Sequence, residues 1–185
     1  MRMTLRAATT TVSLMLGALF APAMASEPED VLKAARERFT GTFGAKQEQA
    51  AMERHIEQAI VAATASASIF VRPTARSKLR DLTRPCASFT FGFDAHNSTI
   101  QCEQRPANTA PLDGRAVQRL GSGGELHDLS QAIERRRITQ TMRSKNGMRR
   151  DVYELDAPGT TMRVHTTITS KWLDDPVRYT LSFAR

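Results

Sequence analysis

Five polar side chains could hold a bound molecule, because they fall among apolar residues on one face of predicted strands. The five are Gln140, Asp151, Tyr153, Thr166 and Tyr179. A carboxyl group that faces a dry core without a partner costs several kcal/mol or else stays protonated. Two interpretations therefore stay open. Either Asp151 lies at an open rim, near water or paired with Arg149, or the five groups are the polar anchors of a largely apolar ligand cavity.

The sequence contains no arrangement of residues typical of an enzyme or a metal site. The four histidines are His55, His96, His127 and His165, and no two of them have the spacing of metal ligands. A G-x-S-x-G motif is absent, and the glycine-rich segment at 121–124 precedes a predicted strand instead of the helix of a phosphate-binding loop. We therefore expect no catalytic residues, no metal and no cofactor.

A basic hairpin is the other conspicuous feature. Its cations are Arg135, Arg136, Arg137, Arg143, Lys145, Arg149 and Arg150, with no acidic residue between the first and the last. One interpretation is an anionic partner, such as a lipid headgroup, a glycan or a phosphate-rich polymer, bound by Arg136, Arg137, Arg149 and Arg150. The other is that the charges keep the strands soluble and discourage pairing at an edge. Nucleic-acid binding is not expected, because no exposed aromatic residues are interleaved with the cations.

The strands that position these residues follow Pro85. Period-two alternation of apolar and polar residues predicts eight of them, at about 87–93, 98–104, 115–119, 126–133, 137–143, 148–155, 160–169 and 177–184. In the last strand the apolar face consists of Val177, Tyr179, Leu181 and Phe183. Turn residues separate the strands, among them Asp113-Gly114, Asn146-Gly147 and Pro158-Gly159.

The Asn146-Gly147 pair allows the strand register to be predicted, because Asn-Gly is the strongest short hairpin signal. A two-residue loop at this point gives the pairs Lys145–Met148, Arg143–Arg150, Met142–Asp151, Gln140–Tyr153 and Ile138–Leu155. Carrying the parity through the Pro-Gly turn places Met162, Val164, Thr166 and Ile168 on the same sheltered face. A slip of one residue would expose that whole face.

Helices are predicted before the strands. Ser26 and Glu29 have the spacing of a capping box and indicate a helix over about 28–38. The segment 39–43, FTGTF, interrupts the helices and is compatible with a short strand. The second helix has an apolar stripe of Met52, Ile56, Ala59, Ile60, Ala63 and Ala67. Pro73 is expected to end this region, and residues 74–82 to add a basic helical turn.

The first 25 residues have the pattern of a cleaved secretory signal. Arg2 and Arg6 precede an apolar run, and Ala23-Met24-Ala25 matches the small-x-small cleavage site. Cleavage after Ala25 leaves a single predicted domain over 26–185 that is only mildly basic. No later segment reaches the roughly 20 apolar residues that span a bilayer. The prediction is a soluble exported protein, periplasmic or secreted.

Two cysteines are expected to form a disulfide in such a compartment. Cys86 and Cys102 would close a loop whose cross-linking stabilises the fold by roughly 3 kcal/mol. Two buried free thiols are the alternative, because a turn near Ala95-His96 places Cys102 opposite Phe89 and leaves Cys86 further back. The phenylalanines at 89, 91 and 93 fit a core or the lining of a ligand cavity, and Trp172 fits a hydrophobic lid or an ordinary exposed ring.

The order of these elements resembles the calycin superfamily, whose members include lipocalins and fatty-acid-binding β-barrels. The resemblance is carried by FTGTF, the helices that follow it, the closing meander and the final Arg178-Tyr179. It implies an α+β fold with N-terminal helices packed on an antiparallel up-and-down meander of about eight strands, as a curved sheet or barrel. The Arg-x-Tyr carboxylate clamp of fatty-acid-binding proteins is not reproduced, because Arg178 and Tyr179 are adjacent and point to opposite faces.

Two functions follow from these observations. The first is an exported, non-catalytic protein that binds a small apolar or amphiphilic, lipid-like molecule through the five polar side chains. The second is an interaction module of the cell envelope, whose core is filled and whose basic hairpin contacts an anionic surface or a protein partner. The two differ in whether the sheltered face of the meander encloses a ligand.

Overall fold

A computed structural model describes residues 28–103, 105–121 and 124–185. The predicted signal peptide, residues 1–25, lies outside these ranges, and the boundaries of the predicted domain stay a prediction. The described helices are α1 (Pro28–Phe39), α2 (Gln49–Ala63) and α3 (Arg72–Leu82). None of them is long and apolar enough to span a membrane.

In the described residues, ten antiparallel strands form one sheet. They are β1 (Gly41–Ala45), β2 (Ser88–Phe93), β3 (Asn97–Cys102), β4 (Asn108–Pro111), β5 (Val117–Leu120), β6 (Leu126–Glu134), β7 (Arg137–Ser144), β8 (Gly147–Leu155), β9 (Thr161–Ser170) and β10 (Val177–Ala184). Each strand pairs with its neighbour in sequence, except that no ladder joins the described residues of β4 and β5. Strands β1 and β2 pair although α2 and α3 lie between them along the chain. Because β1 also pairs with β10, the sheet curls into a nearly closed up-and-down barrel. The predicted antiparallel up-and-down meander is confirmed, with ten strands in the described residues instead of about eight.

The gap between β4 and β5 is bridged by side chains instead of a backbone ladder. Arg119 on β5 donates hydrogen bonds to the Asn108 side chain at 2.5 Å and to the carbonyl oxygens of Pro106 and Ala107. Gln131 on β6 donates from Nε2 to the Asn108 carbonyl oxygen at 3.1 Å. These contacts give the β4 edge partners that the missing strand pairing would otherwise supply.

Strand β4 is missing from the sequence prediction because its residues favour turns. Asn108 begins it and Pro111 ends it, and both types are depleted in strands. A proline at the end of a strand that has one unpaired edge interrupts no ladder on that side. The short segment around FTGTF, in contrast, is confirmed as strand β1, whose Phe43 is fully buried.

The predicted register of the β7–β8 hairpin is wrong by two residues. Ser144 pairs with Gly147, so the loop is Lys145-Asn146, and Gln140 lies opposite Asp151 instead of Tyr153. Gly147 serves the strand and not the turn: a Cβ there would lie 2.3 Å from the Thr169 carbonyl oxygen of the neighbouring β9. A shift of two residues preserves the parity, so the predicted inner face is correct although its pairs are not.

The helices occupy opposite ends of the barrel. Helix α1 packs against β2 and β6, and its Arg36 donates to the Asp94 carbonyl oxygen in the β2–β3 turn at 2.6 Å. Helix α2 packs on β10 through Met52, Ile56, Ile60 and Ala63, as the apolar stripe predicts. Helix α3 begins two residues earlier than expected, because Pro73 lies in its first turn, where proline is tolerated, instead of ending the region. The ion pair of Arg80 with Glu57 at 2.6 Å joins α3 to α2.

Candidate functional site

A row of polar side chains crosses five adjacent strands, β6 to β10, on the inner face of the barrel. Cα register pairs Gln131 with Gln140, Gln140 with Asp151, Asp151 with Thr166, and Thr166 with Tyr179. We call these five residues the polar belt. All five are buried. Four of the five predicted ligand contacts therefore lie in a single row from β7 to β10, which the sequence reasoning did not foresee.

The rows on either side of the polar belt are mostly apolar. The row toward α1 consists of Ile133, Ile138, Tyr153, Val164 and Leu181, and the row toward α3 consists of Leu129, Met142, Arg149, Ile168 and Val177. The two exceptions, Tyr153 and Arg149, flank Asp151 on β8. Tyr153 and Val164 are register partners and are both buried, so the predicted sheltered face of the meander is real.

Asp151 is paired on both carboxylate oxygens. Arg149 donates from Nε to Asp151 Oδ2 at 2.8 Å, and the Thr166 hydroxyl donates to Oδ1 at 2.7 Å. The Asp151 side chain is only 2% exposed and that of Arg149 is 27% exposed. A buried charge requires such partners, because its loss of hydration is costly. The predicted pairing of Asp151 with Arg149 is present, although it lies inside the barrel and not at an open rim, and it is compatible with a ligand cavity beside it.

Arg149 also contacts the end of helix α3. Its Nη1 donates to the Leu82 carbonyl oxygen at the end of α3, at 2.5 Å. Burial alone would lower the pKa of Arg149, but the Asp151 carboxylate and its hydrogen bond outweigh burial and raise the pKa above its ordinary value. Arg149 is therefore a permanent cation whose charge is offset by its neighbour. Through these contacts Arg149 joins Asp151 of the polar belt to helix α3.

Tyr153 lies where the polar side chains meet a cluster of phenylalanines. Its ring is 5.4 Å from that of Phe89 and 5.2 Å from that of Phe91, both edge to face. Burial, followed by the nearby Asp151 carboxylate, raises the pKa of Tyr153 well above its ordinary value. Within the described residues, the Tyr153 hydroxyl has no hydrogen-bond partner. It is a neutral phenol whose hydroxyl hydrogen is not used by another protein group.

Tyr179 has a similar environment at the end of the polar belt. Burial raises its pKa, and the opposing influences of Arg149 and of a hydrogen bond with Thr166 are weaker. The adjacent Arg178 is exposed on the outer face, as the alternation of β10 predicts. Both tyrosines of the chain thus face the interior as neutral phenols.

Gln131 and Ser98 are interior polar residues that the sequence reasoning missed. Ser98 on β3 donates to Gln131 Oε1, and Gln131 Nε2 donates to Gln140 Oε1 at 3.0 Å. In the described part of the chain, Gln140 Nε2 has no hydrogen-bond partner. The alternation of Leu129, Gln131 and Ile133 along β6 could have placed Gln131 inside. This network carries the polar belt from β7 across to β3.

The aromatic cluster fills the interior toward α1. It consists of Phe39, Phe43, Phe89, Phe91 and Phe183, and all five are buried. Phe91 contacts Phe39 of α1 at a ring separation of 5.4 Å, and Phe89 contacts Phe183 at 5.0 Å. Phe93 is only partly buried and packs at the periphery of this core. Of the two interpretations of the phenylalanines at 89, 91 and 93, the core is the one that the structure contains.

The predicted anionic-partner residues do not form one surface. Arg149 is turned inward to Asp151 and to the Leu82 carbonyl oxygen, so it does not lie on the outer face with the other three. Arg137 lies between Glu134 at 3.6 Å and Glu154 at 3.4 Å on the outer face. Arg136 belongs to the β6–β7 turn, whereas Arg150 lies midway along β8 opposite Thr141. A strand of this length separates the ends of the hairpin by roughly 20–25 Å, which disperses the cations.

A cleft of about 680 Å³ lies outside the barrel, between α2, α3 and the segments that precede β2 and follow β3. Charged residues of both signs line it, including Glu53, Arg54, Glu57, Arg80, Arg84 and Arg105. No residue of the polar belt is among its lining residues. The mixture of signs gives the cleft no preference for one charge.

The Cys86–Cys102 disulfide is formed beside this cleft. The Cα atoms are 5.6 Å apart, and Cys102 lies opposite Phe89 in the β2–β3 register, as predicted. The chain around Pro85 folds over the strand, because Arg105 donates to the carbonyl oxygens of Arg84 and Pro85 at 3.2 and 3.1 Å. The bond ties the exit of α3 to the barrel. Two free thiols are therefore excluded in this structure.

The described residues contain no group of three or more histidine, cysteine or acidic side chains placed to hold a metal ion.

Trp172, for which the sequence allowed a role as a hydrophobic lid, lies in the β9–β10 turn. Its side chain is 66% exposed, and Lys171 Nζ lies 4.8 Å from the centroid of its ring. It is not packed on the core, so the structure gives it no role as a lid. The segment Ile69–Val71 between α2 and α3 is similarly exposed.

No protein-family model matches the chain, and no curated protein matches its sequence. Similar solved structures include a Schistosoma mansoni fatty acid binding protein in complex with arachidonic acid, 18% identical with a TM-score of 0.48 over 82% of this chain and 98% of that one. Echinococcus granulosus fatty-acid-binding protein 1 is 10% identical, with a TM-score of 0.49 over 80% and 98% of the two chains. Apo Caenorhabditis elegans lipid binding protein 8 is 10% identical, with a TM-score of 0.45 over 80% and 96%.

These matches are loose likenesses of fold at low sequence identity. The strand order, the β1–β10 closure and the helices between β1 and β2 define the architecture without them. The chain is similar to these fatty-acid-binding barrels at this low level of likeness, and the predicted α+β fold with an antiparallel up-and-down meander is confirmed by the order of its own strands.

Proposed function

We propose that this protein is a non-catalytic carrier that binds a small apolar or amphiphilic molecule inside its barrel. The observation that carries the proposal is the polar belt, in which buried polar groups with spare hydrogen-bonding capacity lie between two rows of mostly apolar side chains. Ligand sites commonly have this composition, with an apolar lining and a few fixed polar groups. The Tyr153 hydroxyl, which lies beside the polar belt and donates to no described group, is available to a ligand there.

The α2–α3 pair is the entry route in this proposal. It covers the end of the barrel that α1 does not occupy, and Arg149 links it to the polar belt through the Leu82 carbonyl oxygen. The exposed ends of the α2–α3 connection carry few interior contacts, so local opening there costs less than opening at the aromatic cluster. Entry requires α3 to move away from Arg149, which couples the lid to the ligand site.

An exported location is part of the proposal and is supported by the disulfide, which forms readily in an oxidising compartment. The signal sequence at 1–25 would direct the chain there. The second candidate function, an envelope module that binds an anionic surface through the basic hairpin, has less support. Arg149 lies inside the barrel and Arg137 is placed between two glutamates, so only part of the predicted patch is available.

Ligand binding can be tested on protein purified without detergent. We expect native mass spectrometry to show a lipid-sized adduct on the oxidised chain that begins at Ser26. We also expect uptake of two fluorescent probes, the neutral 1-aminoanthracene and a fluorescent fatty acid. An apo species that takes up neither probe would refute binding in the barrel. A full-length mass would contradict cleavage at Ala25 without affecting the binding test.

A pair of matched variants locates the site. Val164 faces the interior opposite Tyr153, whereas Val152 lies on the outer face of β8 opposite Thr139 and His165. Val164→Phe fills interior volume and should reduce probe uptake by about tenfold, since a clash of about 1–3 kcal/mol accompanies overpacking. Val152→Phe should leave uptake unchanged. Circular dichroism of both variants checks that the fold is retained, and equal uptake by the two would place the probe elsewhere.

A further inference from the structure

We propose that the interior site selects a neutral amphiphile, whose polar end is an alcohol or a carbonyl group, over a fatty-acid carboxylate. This inference rests on the proposed function and names the class of ligand. It concerns the column of three side chains on β8, Arg149, Asp151 and Tyr153, which spans the polar belt and the rows beside it.

The charges of the site cancel internally. The only arginine of the column is bound to Asp151 through its Nε at 2.8 Å, and its Nη1 is bound to the Leu82 carbonyl oxygen. A ligand carboxylate that approached Arg149 would bring a second anion beside Asp151. In a water-poor interior, two like charges at such a distance repel strongly. The cation that could hold a carboxylate is therefore already neutralised by the protein.

The second oxygen of Asp151 is also occupied. Thr166 donates its hydroxyl hydrogen to Asp151 Oδ1, so this hydrogen is not free for a ligand. Since Asp151 is 2% exposed and has two donors in place, no rearrangement of its surroundings is needed in the absence of ligand. The Arg149–Asp151–Thr166 contacts thus form a self-contained unit that offers a ligand little net charge.

The hydrogen-bonding groups left over are neutral donors. Tyr153 Oη and Gln140 Nε2 have no hydrogen-bond partner in the part of the chain that the structure describes. Gln140 is the register partner of Asp151, and Tyr153 is two positions further along β8, so the two side chains are diagonal neighbours across the hairpin. Long side chains at diagonal positions can reach a common point, and the oxygen of an alcohol, an ester or a ketone can accept from two neutral donors.

The surroundings supply the apolar part of the site. Phe89 and Phe91 pack edge to face on the Tyr153 ring, and Val164 lies opposite it on β9. A polar end group at Tyr153 and Gln140 would leave the rest of the ligand among apolar side chains. Transfer of an ionised carboxylate into such a site without a free cation is far more costly than transfer of a neutral oxygen.

The test compares three ligands of equal chain length, palmitic acid, cetyl alcohol and methyl palmitate, at about pH 8, where the acid is ionised. Displacement of bound 1-aminoanthracene gives the three affinities. We expect the alcohol and the ester to bind at least about tenfold more tightly than the acid, because only the acid is desolvated as an ion. Equal or tighter binding of the acid overturns the inference while the proposed function stands. Failure of all three ligands and of the dye refutes the proposed function itself.

Two variants examine the physical cause. Asp151→Asn retains oxygen and nitrogen atoms for Thr166 and Arg149 but removes the negative charge, so the preference should shift toward palmitic acid by about tenfold. Tyr153→Phe should weaken the alcohol and the ester and leave the acid unchanged. Glu154→Gln, a change of charge on the outer face of the same strand, is the matched control and should alter none of the three affinities. An unchanged preference in both Asp151→Asn and Tyr153→Phe would overturn the inference.

Discussion

The two halves of the barrel interior are built on different principles. Toward α1, the aromatic cluster fills the space with interlocking rings, and its phenylalanines need no hydrogen bonds. Toward α2 and α3, the polar belt places a carboxylate, two amides and hydroxyl groups in one buried row. The packing of the aromatic cluster depends only on how the shapes of its rings fit together. The second half depends on each polar group finding a partner, and Tyr153 and Gln140 still have unused donors.

This difference separates stability from recognition. A packed ring cluster makes a large contribution to the free energy of unfolding and offers nothing to a ligand. A buried polar row contributes less, because its hydrogen bonds replace those made with water, yet it can orient a ligand. Substitutions in the two halves should therefore affect stability and binding in opposite proportions.

The largest effect on stability is expected for Phe91→Ala in the aromatic cluster. Phe91 is 2% exposed and contacts the rings of Phe39, Phe43 and Tyr153. Removal of the ring should lower the free energy of unfolding by about 3–5 kcal/mol, the usual cost of a phenylalanine cavity. Urea denaturation followed by circular dichroism measures the change.

Phe70→Ala is the control for this substitution. Phe70 is 87% exposed at the connection between α2 and α3, so its loss should change stability by no more than about 0.5 kcal/mol. A loss below about 1 kcal/mol for Phe91→Ala would show that the aromatic cluster is loosely packed. The contrast between the two halves of the interior would then disappear.

The sequence predicts the inner face of the barrel better than it predicts the details of pairing. Parity depends only on alternation along each strand, and it survives the two-residue error at the β7–β8 loop. The register itself depends on which residues form the turn. The Asn146-Gly147 pair indicated a turn at those two residues, whereas Gly147 belongs to strand β8. Its lack of a side chain is needed because the Thr169 carbonyl oxygen of β9 approaches closely, and this contact comes from a residue distant in sequence.

The polar belt could be predicted in its members but not in its arrangement. Alternation places Gln140, Asp151, Thr166 and Tyr179 inside, whereas their alignment in one row requires the correct register of three hairpins. The partners of Asp151 show the same limit. Arg149 was predicted both as a partner of Asp151 and as a surface cation, and only the packing of α3 against it decides between these.

An intermediate effect is expected for Thr166→Val in the polar belt. This nearly isosteric change removes the hydroxyl that donates to Asp151 Oδ1 and leaves a buried carboxylate oxygen without its partner. Hydrogen bonds to charged groups contribute about 1.5–3 kcal/mol, and we expect a loss of that size in urea denaturation. Thr167→Val, on the outer face of the same strand, is the matched control and should be close to neutral. If both variants had wild-type stability, the Asp151 carboxylate would not depend on the belt.

The smallest effect at neutral pH is expected for Tyr153→Phe, which becomes visible only in alkali. The variant loses a hydroxyl that has no partner in the described residues, so its stability at pH 8 should lie within about 0.5 kcal/mol of wild type. The pKa of Tyr153 is raised well above that of an unfolded tyrosine, mainly by burial. As the pH rises past about 10, the unfolded chain loses this proton while the folded chain keeps it, so stability falls.

Tyr153→Phe removes one of the only two phenols in the chain and with it this alkaline loss. At about pH 10.5 the variant should therefore exceed wild type by about 1 kcal/mol in urea denaturation. Phenolate absorbance gives a second measurement: both tyrosines are buried, so native wild type should show no phenolate until it unfolds. Early ionisation of a phenol in the folded protein would mean that water reaches the polar belt freely. In that case the interior would be an open, solvated cavity, and the neutral donors of Tyr153 and Gln140 would lose the dry surroundings on which their selectivity depends.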